Sequence, residues 1–446
     1  VLIWFVSLVG FRDMNYRKYF VQWMLKILVE EQDKEENGRS RKKDRAGNLA
    51  VYKRTVHALF ELCFENAQLP PCALIRDMIV DSEVFVRKEL NHQVKPLPSK
   101  VRVPDYFNES QIRAASLAQY EPLSIVQGAP GTGKTGVAAV SLQGWGVVFP
   151  QELGALATSF SNTAVDNLAL GLMKQDHPNV IRAGHQESMC PELHWNVLAP
   201  GTEGMQQLRK RHCLCATALS AMSGPLDRPW RCVLIDECGL ATEPATLVPV
   251  CRGAERLVLV GDDRQLPPTV SKAGCAAGLH MSMFERLLNA GAPQTFLNTQ
   301  YRMHPKLSQF PMRFYTEALN NGPLTLSREN PPGYHWPNPA IPICVLHVDE
   351  PEVPAGSSMR NPAEAEVVRV LLDELKANGV AFNKTSIAVI TTYSGQQIVL
   401  RSVTDKNVDV YTIDKSQGEE RDIIILSLVR SNTEGKLGFL CDRRRI

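Results

Sequence analysis

Eight residues constrain this chain more than any other stretch: Gly128, Ala129, Pro130, Gly131, Thr132, Gly133, Lys134 and Thr135. They follow the apolar run LSIVQG at 123–128, which predicts a buried strand, and they precede Gly136-Val-Ala-Ala-Val, which predicts the start of a helix. Every fixed position of G-x-x-x-x-G-K-[ST] is filled. In that context glycines let consecutive backbone N–H groups curl around phosphate oxygens, and the helix N-terminus adds its partial positive charge. Lys134 then reaches the terminal phosphates, and the Thr135 hydroxyl is a ligand for Mg²⁺. The loop points to a nucleoside triphosphate and is silent on what its hydrolysis drives.

The chain around this loop is ordinary globular material. Of 446 residues, 44% are apolar and 22% charged, which excludes a disordered or collagenous chain and suffices for about three domains. From residue 105 onward short, fully apolar runs alternate with helical stretches, the pattern of a parallel sheet buried on both faces with its functional loops at the carboxyl ends of the strands. CVLIDE at 232–237 ends in Asp236, suited to the Mg²⁺ shell, and Glu237, suited to polarise an attacking water. RLVLV at 256–260 delivers GDDRQLPPT. There the Gln265 amide can both accept from water and donate to a γ-phosphate oxygen, while Asp262 and Asp263 are equally turn formers. The same grammar returns in IPICVLHV (341–348), SIAVIT (386–391), VDVYTID (408–414) and IIILSLV (423–429). The expected fold is therefore α/β, with two lobes built on parallel sheets. The expected divisions are an accessory, mainly helical segment at 1–104, a first lobe at 105–298 and a second at 299–446.

Net charge is only +2, so any polyanion site is local. The positive excess sits in the first 104 residues, where Arg39, Arg41, Lys42, Lys43 and Arg45 read as a solvated loop between helices at about 11–32 and 48–66. Prolines at 96, 98 and 104 mark a linker. Eleven cysteines without a C-x-x-C pair, the closest being Cys213 and Cys215, argue against zinc ribbons and disulfide scaffolds and for a reducing compartment. The opening VLIWFVSLVG is too short to span a bilayer and reads as core, and a start at Val1 reads as a fragment end.

An ordered series of motifs ties these pieces together: FNESQIRAA, GAPGTGKT, SFSNTAVDNL, CATALSA, LIDECGLATEP, VLVGDDRQLPP, LNTQYRMHP, ITTYSGQQ and YTIDKSQGEERDIIILSLVRSN. Over about 105–446 the chain resembles the superfamily 1 helicases of the up-frameshift type, with TQYRMHP and DKSQGEE its most specific pieces. The resemblance implies two RecA-like P-loop NTPase lobes that hold ATP and Mg²⁺ between them. It also implies a role for each matching residue. Gln111 would read the adenine edge, Tyr301 stack on the base, Arg302 act as an arginine finger, and Glu420 contact the ribose or couple the lobes. Ser161, Asn162 and Thr163 would grip the sugar-phosphate of a single strand from the first lobe, and Thr391, Thr392, Tyr393 and Gln396 from the second.

Two positions depart from the family pattern: Thr392 stands where Pro is usual, and DECG replaces the commoner acid-box ending. CDRRRI resembles the lead-in to a last motif whose Thr-Arg is not reached, so Arg443, Arg444 and Arg445 do not inherit that role and weak hydrolysis is expected. The expected activity is that of an ATP-dependent helicase or translocase moving 5′ to 3′ on single-stranded RNA or DNA. The alternatives are an ATP-gated clamp or ribonucleoprotein scaffold that does not unwind, and a catalytically dead remnant. A monomer is expected, in cytoplasm or nucleus, off the membrane, with ribonucleoprotein, repair or decay factors as partners.

Overall fold

The structure is a computed structural model that describes residues 12–36, 42–64, 67–81, 94–149, 154–175, 180–199, 201–210, 213–441 and 444. Val1 to Phe11, Arg39, Arg41, Arg443 and Arg445 lie outside the described residues, and with them the expected core role of the opening segment and part of the basic run. The chain divides into two compact units, Val1–Gln300 and Tyr301–Ile446.

In the first unit, helices α1 (Met14–Glu36), α2 (Lys42–Cys63) and α3 (Ala73–Val80) precede α4 (Glu109–Tyr120). Then come β1 (Leu123–Gly128), α5 (Lys134–Val148), β2 (Ala155–Ser159), α6 (Asn162–Lys174), β3 (Val180–Arg182), α7 (Gly201–Lys210), β4 (Cys213–Thr217) and β5 (Cys232–Ile235). The unit ends with α8 (Glu243–Val250), β6 (Arg256–Gly261), α9 (Lys272–Ala276), α10 (Met283–Asn289) and β7 (Gln294–Leu297). The seven strands form one sheet in the order β3-β4-β2-β5-β6-β1-β7, every pairing parallel, with Val126 opposite Val260 and Thr295. Their near-continuous apolar sequences suit a sheet covered on both faces.

Alternate strand residues enter two different cores. Ile125, Leu156, Leu214, Val233, Ile235, Leu257 and Leu259 belong to one cluster, which continues through Leu247, Val248 and Phe284 to Trp23, Ile27, Leu59, Leu62 and Ile75 of the N-terminal helices. Val126, Ala157, Cys215, Leu234, Val258 and Val260 belong to the other, with Ala114, Ala118, Val140, Leu142, Trp145, Val165 and Leu168 of α4, α5 and α6. The proline-marked stretch has no regular structure and is strapped down by Tyr120 Oη donating to the Pro96 carbonyl at 2.8 Å and by Arg102 N–H donating to Gln143 at 3.1 Å. Lys42, Lys43 and Arg45, expected in a loop, lie on the first turn of α2 instead. All three are good helix formers or tolerated near a helix start, and no glycine or proline follows before Gly47 to stop them.

The second unit contains α11 (Pro305–Met312), α12 (Pro362–Ala377), β8 (Ile387–Thr391), α13 (Ser394–Val403), β9 (Asp409–Thr412) and β10 (Ile423–Ser427). Its parallel sheet has the order β9-β8-β10 and packs Val389, Val410 and Ile387 against Val368, Leu372, Leu375 and Leu400. The strand expected at 341–348 does not form, and Ile343, Val345 and Leu346 are exposed. Pro342 removes a ladder donor within the run, and the Ile343 N–H is used locally on the Ile341 carbonyl at 2.8 Å. Among the described residues no helix is long and apolar enough to cross a membrane.

Trp145 couples the helices of the second core, since its ring is buried and its Nε1 donates to the Ala118 carbonyl of α4 at 2.9 Å. Trp145→Ala is expected to destabilise the first unit by about 3–5 kcal/mol, the cost of an emptied aromatic site plus a buried unpaired carbonyl. Urea unfolding followed by circular dichroism measures it, and a loss below about 1 kcal/mol would show that α4 and α5 are held by other contacts.

Candidate nucleotide and strand sites

All seven strands of the first sheet point the same way, so every turn that leaves a carboxyl end lies on one edge. The phosphate loop joins β1 to α5 there. Gly131 and Gly133 have φ of 78° and 82°, a left-handed backbone that side chains rarely adopt. At Gly128 a Cβ would come within 2.4 Å of Thr132 Oγ1. Lys134 is the first residue of α5 and mostly buried, and its Nζ donates to the Gly128 carbonyl at 2.9 Å, tying the two ends of the loop together. Thr132 is buried and its hydroxyl donates to the Ala129 carbonyl at 2.8 Å. Thr135 is half-buried at the second position of the helix.

Gln111 lies against this loop, although its amide is used within the protein. Its Oε1 accepts from Asn108 N at 2.9 Å and its own N–H donates to Asn108 Oδ1 at 3.0 Å, a reciprocal capping box on α4. Its Nε2 donates to the Thr132 carbonyl at 3.0 Å. Two internal bonds leave the carboxamide one N–H and one lone pair for anything else.

Asp236 and Glu237 leave the end of β5. Asp236 is buried, and burial together with the neighbouring Glu237 charge raises its carboxyl to about 7, against the pull of the Lys134 ammonium and of the Glu237 N–H that it accepts at 2.9 Å. The Lys134 charge felt at Asp236 brings the acid turn and the phosphate loop into one electrostatic neighbourhood. Glu237 has φ 53° and ψ 39°, one of two non-glycine residues with positive φ among the described residues, the other being Val429. A carboxylate held there after a buried strand is strain of the sort found at functional turns. Thr135 and Asp236 are hard oxygen donors of the type Mg²⁺ takes, and a buried carboxylate beside a second one calls for a cation.

Gln265 follows β6, and its Nε2 donates to Asp262 Oδ2 at 2.7 Å, while Asp262 Oδ1 accepts from Arg264 N at 3.1 Å. Asp262, read from the sequence as a turn former, is buried and orients the Gln265 amide. Asp263 accepts from Gln127 Nε2 on β1 and pairs with Arg264 at 3.3 Å. In the second unit Arg302 and Glu420, given separate roles by sequence, form an ion pair with each other, and Tyr301 is half-buried with its carbonyl accepting from Arg328 at 3.3 Å.

The strand residues divide by exposure. Ser161 is the N-cap of α6, its Oγ accepting from Ala164 N at 3.0 Å, and Ser161, Asn162 and Thr163 are all exposed. Sequence reading missed Arg182, which is buried and holds this helix end by donating from Nε to Asp166 at 2.7 Å and from Nη2 to Asn162 Oδ1 at 2.9 Å. A lone Arg at the end of a three-residue strand carries no signal for that. In the second unit Gln396 is the correction: it is fully buried, accepts from Asn361 N at 2.8 Å, and donates to the Asn361 carbonyl and Ser427 Oγ at 3.0 Å each. With its hydrogen bonds satisfied inside, it fixes α13 and has no face for a strand. Tyr393 is likewise buried, and Thr392 is half-buried with its Oγ1 donating to the Leu428 carbonyl at 3.3 Å. Thr391 is buried at the end of β8, and its Oγ1 has no hydrogen-bond partner among the described residues. Ser159 Oγ at the end of β2 is in the same condition.

Family models described as AAA domains match residues 106–200 with 202–273, and residues 279–446. "Regulator of nonsense transcripts 1" of Caenorhabditis elegans is 35% identical over 445 residues, covering 86% of this chain and 41% of that relative. "ATP-dependent helicase NAM7" of Saccharomyces cerevisiae is 33% identical, covering 80% of this chain and 43% of its own. Over about four fifths of its length the chain is similar to these up-frameshift relatives. The Drosophila melanogaster "Regulator of nonsense transcripts 1 homolog" is 34% identical, covering 78% of this chain and 34% of its own, so this sequence spans about two fifths of its relatives' length or less.

The raised carboxyl of Asp236 gives the protein a measurable pH dependence. An unfolded Asp loses its proton near pH 4, at roughly 3.9, whereas folded Asp236 keeps it up to about 7. The folded state therefore binds more protons between those values, and the group's stabilising contribution is full below about pH 4 and lost as pH rises through 7. Asp236→Asn is expected to be more stable than wild type at pH 8 without divalent metal, by about 1–3 kcal/mol, and by much less at pH 5. Thermal unfolding at the two pH values checks this, and an equal gain at both would assign the burial penalty to another group.

Proposed function

We propose that this chain is the motor part of an ATP-dependent nucleic-acid helicase that couples ATP hydrolysis to movement on a single strand. The observation that carries the reading is the shared edge of the first sheet. The phosphate loop, the Asp236–Glu237 turn, the Gln265 loop and the exposed cap of α6 all leave strands that end there.

The phosphate loop would bind the triphosphate through its backbone N–H groups, with Lys134 exchanging the Gly128 carbonyl for phosphate oxygen. Thr135 and Asp236 would hold Mg²⁺, whose chemistry is to neutralise charge on the β- and γ-phosphate oxygens. Glu237 would accept a proton from the attacking water, and Gln265, held by Asp262, would align that water. Gln111 would read the adenine edge with the part of its amide left over from the cap, and Tyr301 would stack on the base. Arg302 would neutralise the γ-phosphate, which requires Glu420 to give up its ion pair. Glu420 so released would be free to contact the ribose.

For the strand, the exposed trio Ser161, Asn162 and Thr163 would take sugar-phosphate, with Thr391 and Thr392 as the hydroxyl contacts of the second unit. Such neutral contacts are weak and renewable, which suits movement and agrees with a net charge of only +2. The 5′-to-3′ direction, a strand of RNA or DNA, ribonucleoprotein, repair or decay factors as partners and a place in cytoplasm or nucleus are carried by the resemblance in the motifs and belong to the same proposal.

Lys134→Ala and Glu237→Gln are expected to lower strand-stimulated ATP hydrolysis at least about a hundredfold while circular dichroism shows the fold retained. Retained turnover in both would remove the site assignment. A strand-displacement assay run beside the ATPase assay separates the motor from a clamp, which would hydrolyse ATP without displacing a strand.

A further inference from the structure

Helix α1 has no part in the nucleotide chemistry set out above, yet two of its polar side chains are used in the interior. Tyr19 is buried and its hydroxyl donates to the Glu243 carboxylate. Glu243 is fully buried at the start of α8, and Arg286 of α10 closes on both its oxygens, from Nε and from Nη2, at 2.8 Å each. The same Arg286 Nη2 donates to the Ile79 carbonyl of α3 at 2.6 Å. Farther along α1, the buried Glu30 carboxylate accepts the Ser271 N–H at 3.1 and 3.0 Å, where Ser271 caps α9. This contact is close enough that a Cβ at Gly274 would fall 2.0 Å from Glu30 Oε2. Eleven residues are about three helical turns, so Tyr19 and Glu30 lie on the same side of α1.

Their targets are placed with equal regularity. Glu243 lies six residues beyond Glu237, and Ser271 lies six beyond Gln265. Between Glu237 and Glu243 the chain makes a tight turn, with Leu240 N donating to the Glu237 carbonyl at 3.1 Å and Cys238 and Gly239 buried. That turn presses on the other loop, since a Cβ at Gly239 would come 2.8 Å from the Asp262 carbonyl. Asp262 in turn holds Gln265. The contacts close a ring: α1 to Glu243, back to the acid turn, across Gly239 to Asp262 and Gln265, on to Ser271, and through Glu30 to α1.

We propose that α1 braces the hydrolytic side of the nucleotide site. Tyr19 and Glu30 are positioning residues that keep the Glu237 and Gln265 loops at a fixed separation, so turnover depends on an N-terminal helix that touches no nucleotide. The proposal rests on the functional reading above and adds to it a role for the segment whose sequence carries no motif. Buried, fully hydrogen-bonded polar contacts are the means by which such a helix can specify one arrangement of two loops.

Tyr19→Phe removes one hydroxyl and keeps the ring, and Glu30→Gln keeps the shape of the acceptor while weakening it. Lys18→Gln, on the exposed side of α1, is the control. Each variant is compared with wild type for strand-stimulated kcat and KM, for binding of a fluorescent ATP analogue, and for amide hydrogen exchange. The expectation is a fall in kcat of about five- to tenfold in Tyr19→Phe and in Glu30→Gln, with nucleotide affinity within about twofold of wild type and Lys18→Gln unchanged. Exchange should quicken at 238–243 in the first variant and at 262–275 in the second, and stay as it was in the phosphate loop. Wild-type kcat and unchanged exchange in both variants would overturn the brace, as would a loss of kcat matched by an equal loss of nucleotide affinity. Wild-type protein that neither binds nor hydrolyses ATP would sink the functional reading, and the exchange measurement would still decide whether α1 holds the two loops.

Discussion

The parallel alignment of seven strands is the constraint on which the rest of the molecule depends. Parallel pairing forbids tight hairpins, so each strand needs a crossover, and the crossovers cover both faces of the sheet with helices. Burial on both faces explains the unbroken apolar runs and the division of alternate strand residues between two cores. It also gathers the carboxyl ends of the strands on one edge, where the strand-to-helix loops converge and ligands bind in sheets of this kind. Chemistry is confined there by topology before any residue is chosen.

On that edge the side chains are held by a few polar contacts made with unusual economy. Asp262 orients Gln265, Arg182 orients Asn162, Asn108 and Gln111 cap one another, and Lys134 closes its own loop. In the first three cases a group with a candidate chemical role has its orientation set by a neighbour that has none. Asp236 is the exception, being held by burial next to a like charge, an unfavourable arrangement that either a proton or a cation relieves.

Much of this was legible in the sequence because it is local. LSIVQG matches β1 from end to end, RLVLV falls within β6, and IIILSLV starts with β10 but runs two residues past its end at Ser427, because short apolar runs between turn residues have few other options. The phosphate loop is legible for the same reason, since its glycines are required by the backbone. What could not be read depends on partners far along the chain. Gln396 satisfies its amide on Asn361 and Ser427, and Arg302 is paired with Glu420, neither of which periodicity can foresee. The run at 341–348 has the composition of a strand but carries Pro342 and a local turn bond, so its apolar residues stay outside any sheet. Helices α1 and α2 were recognisable as helices, whereas the polar ties of α1 to α8 and α9 span more than two hundred residues and leave no pattern.

Glu237 carries a consequence of its own. Its backbone sits where glycine is at ease and a side chain is not, at a penalty of about 1 kcal/mol or more. Glycine at that position would relax the turn and make the fold sturdier while deleting the carboxylate. Durability and catalytic power are thus set against each other at a single residue, and selection for heat resistance alone would be drawn to the inactive choice.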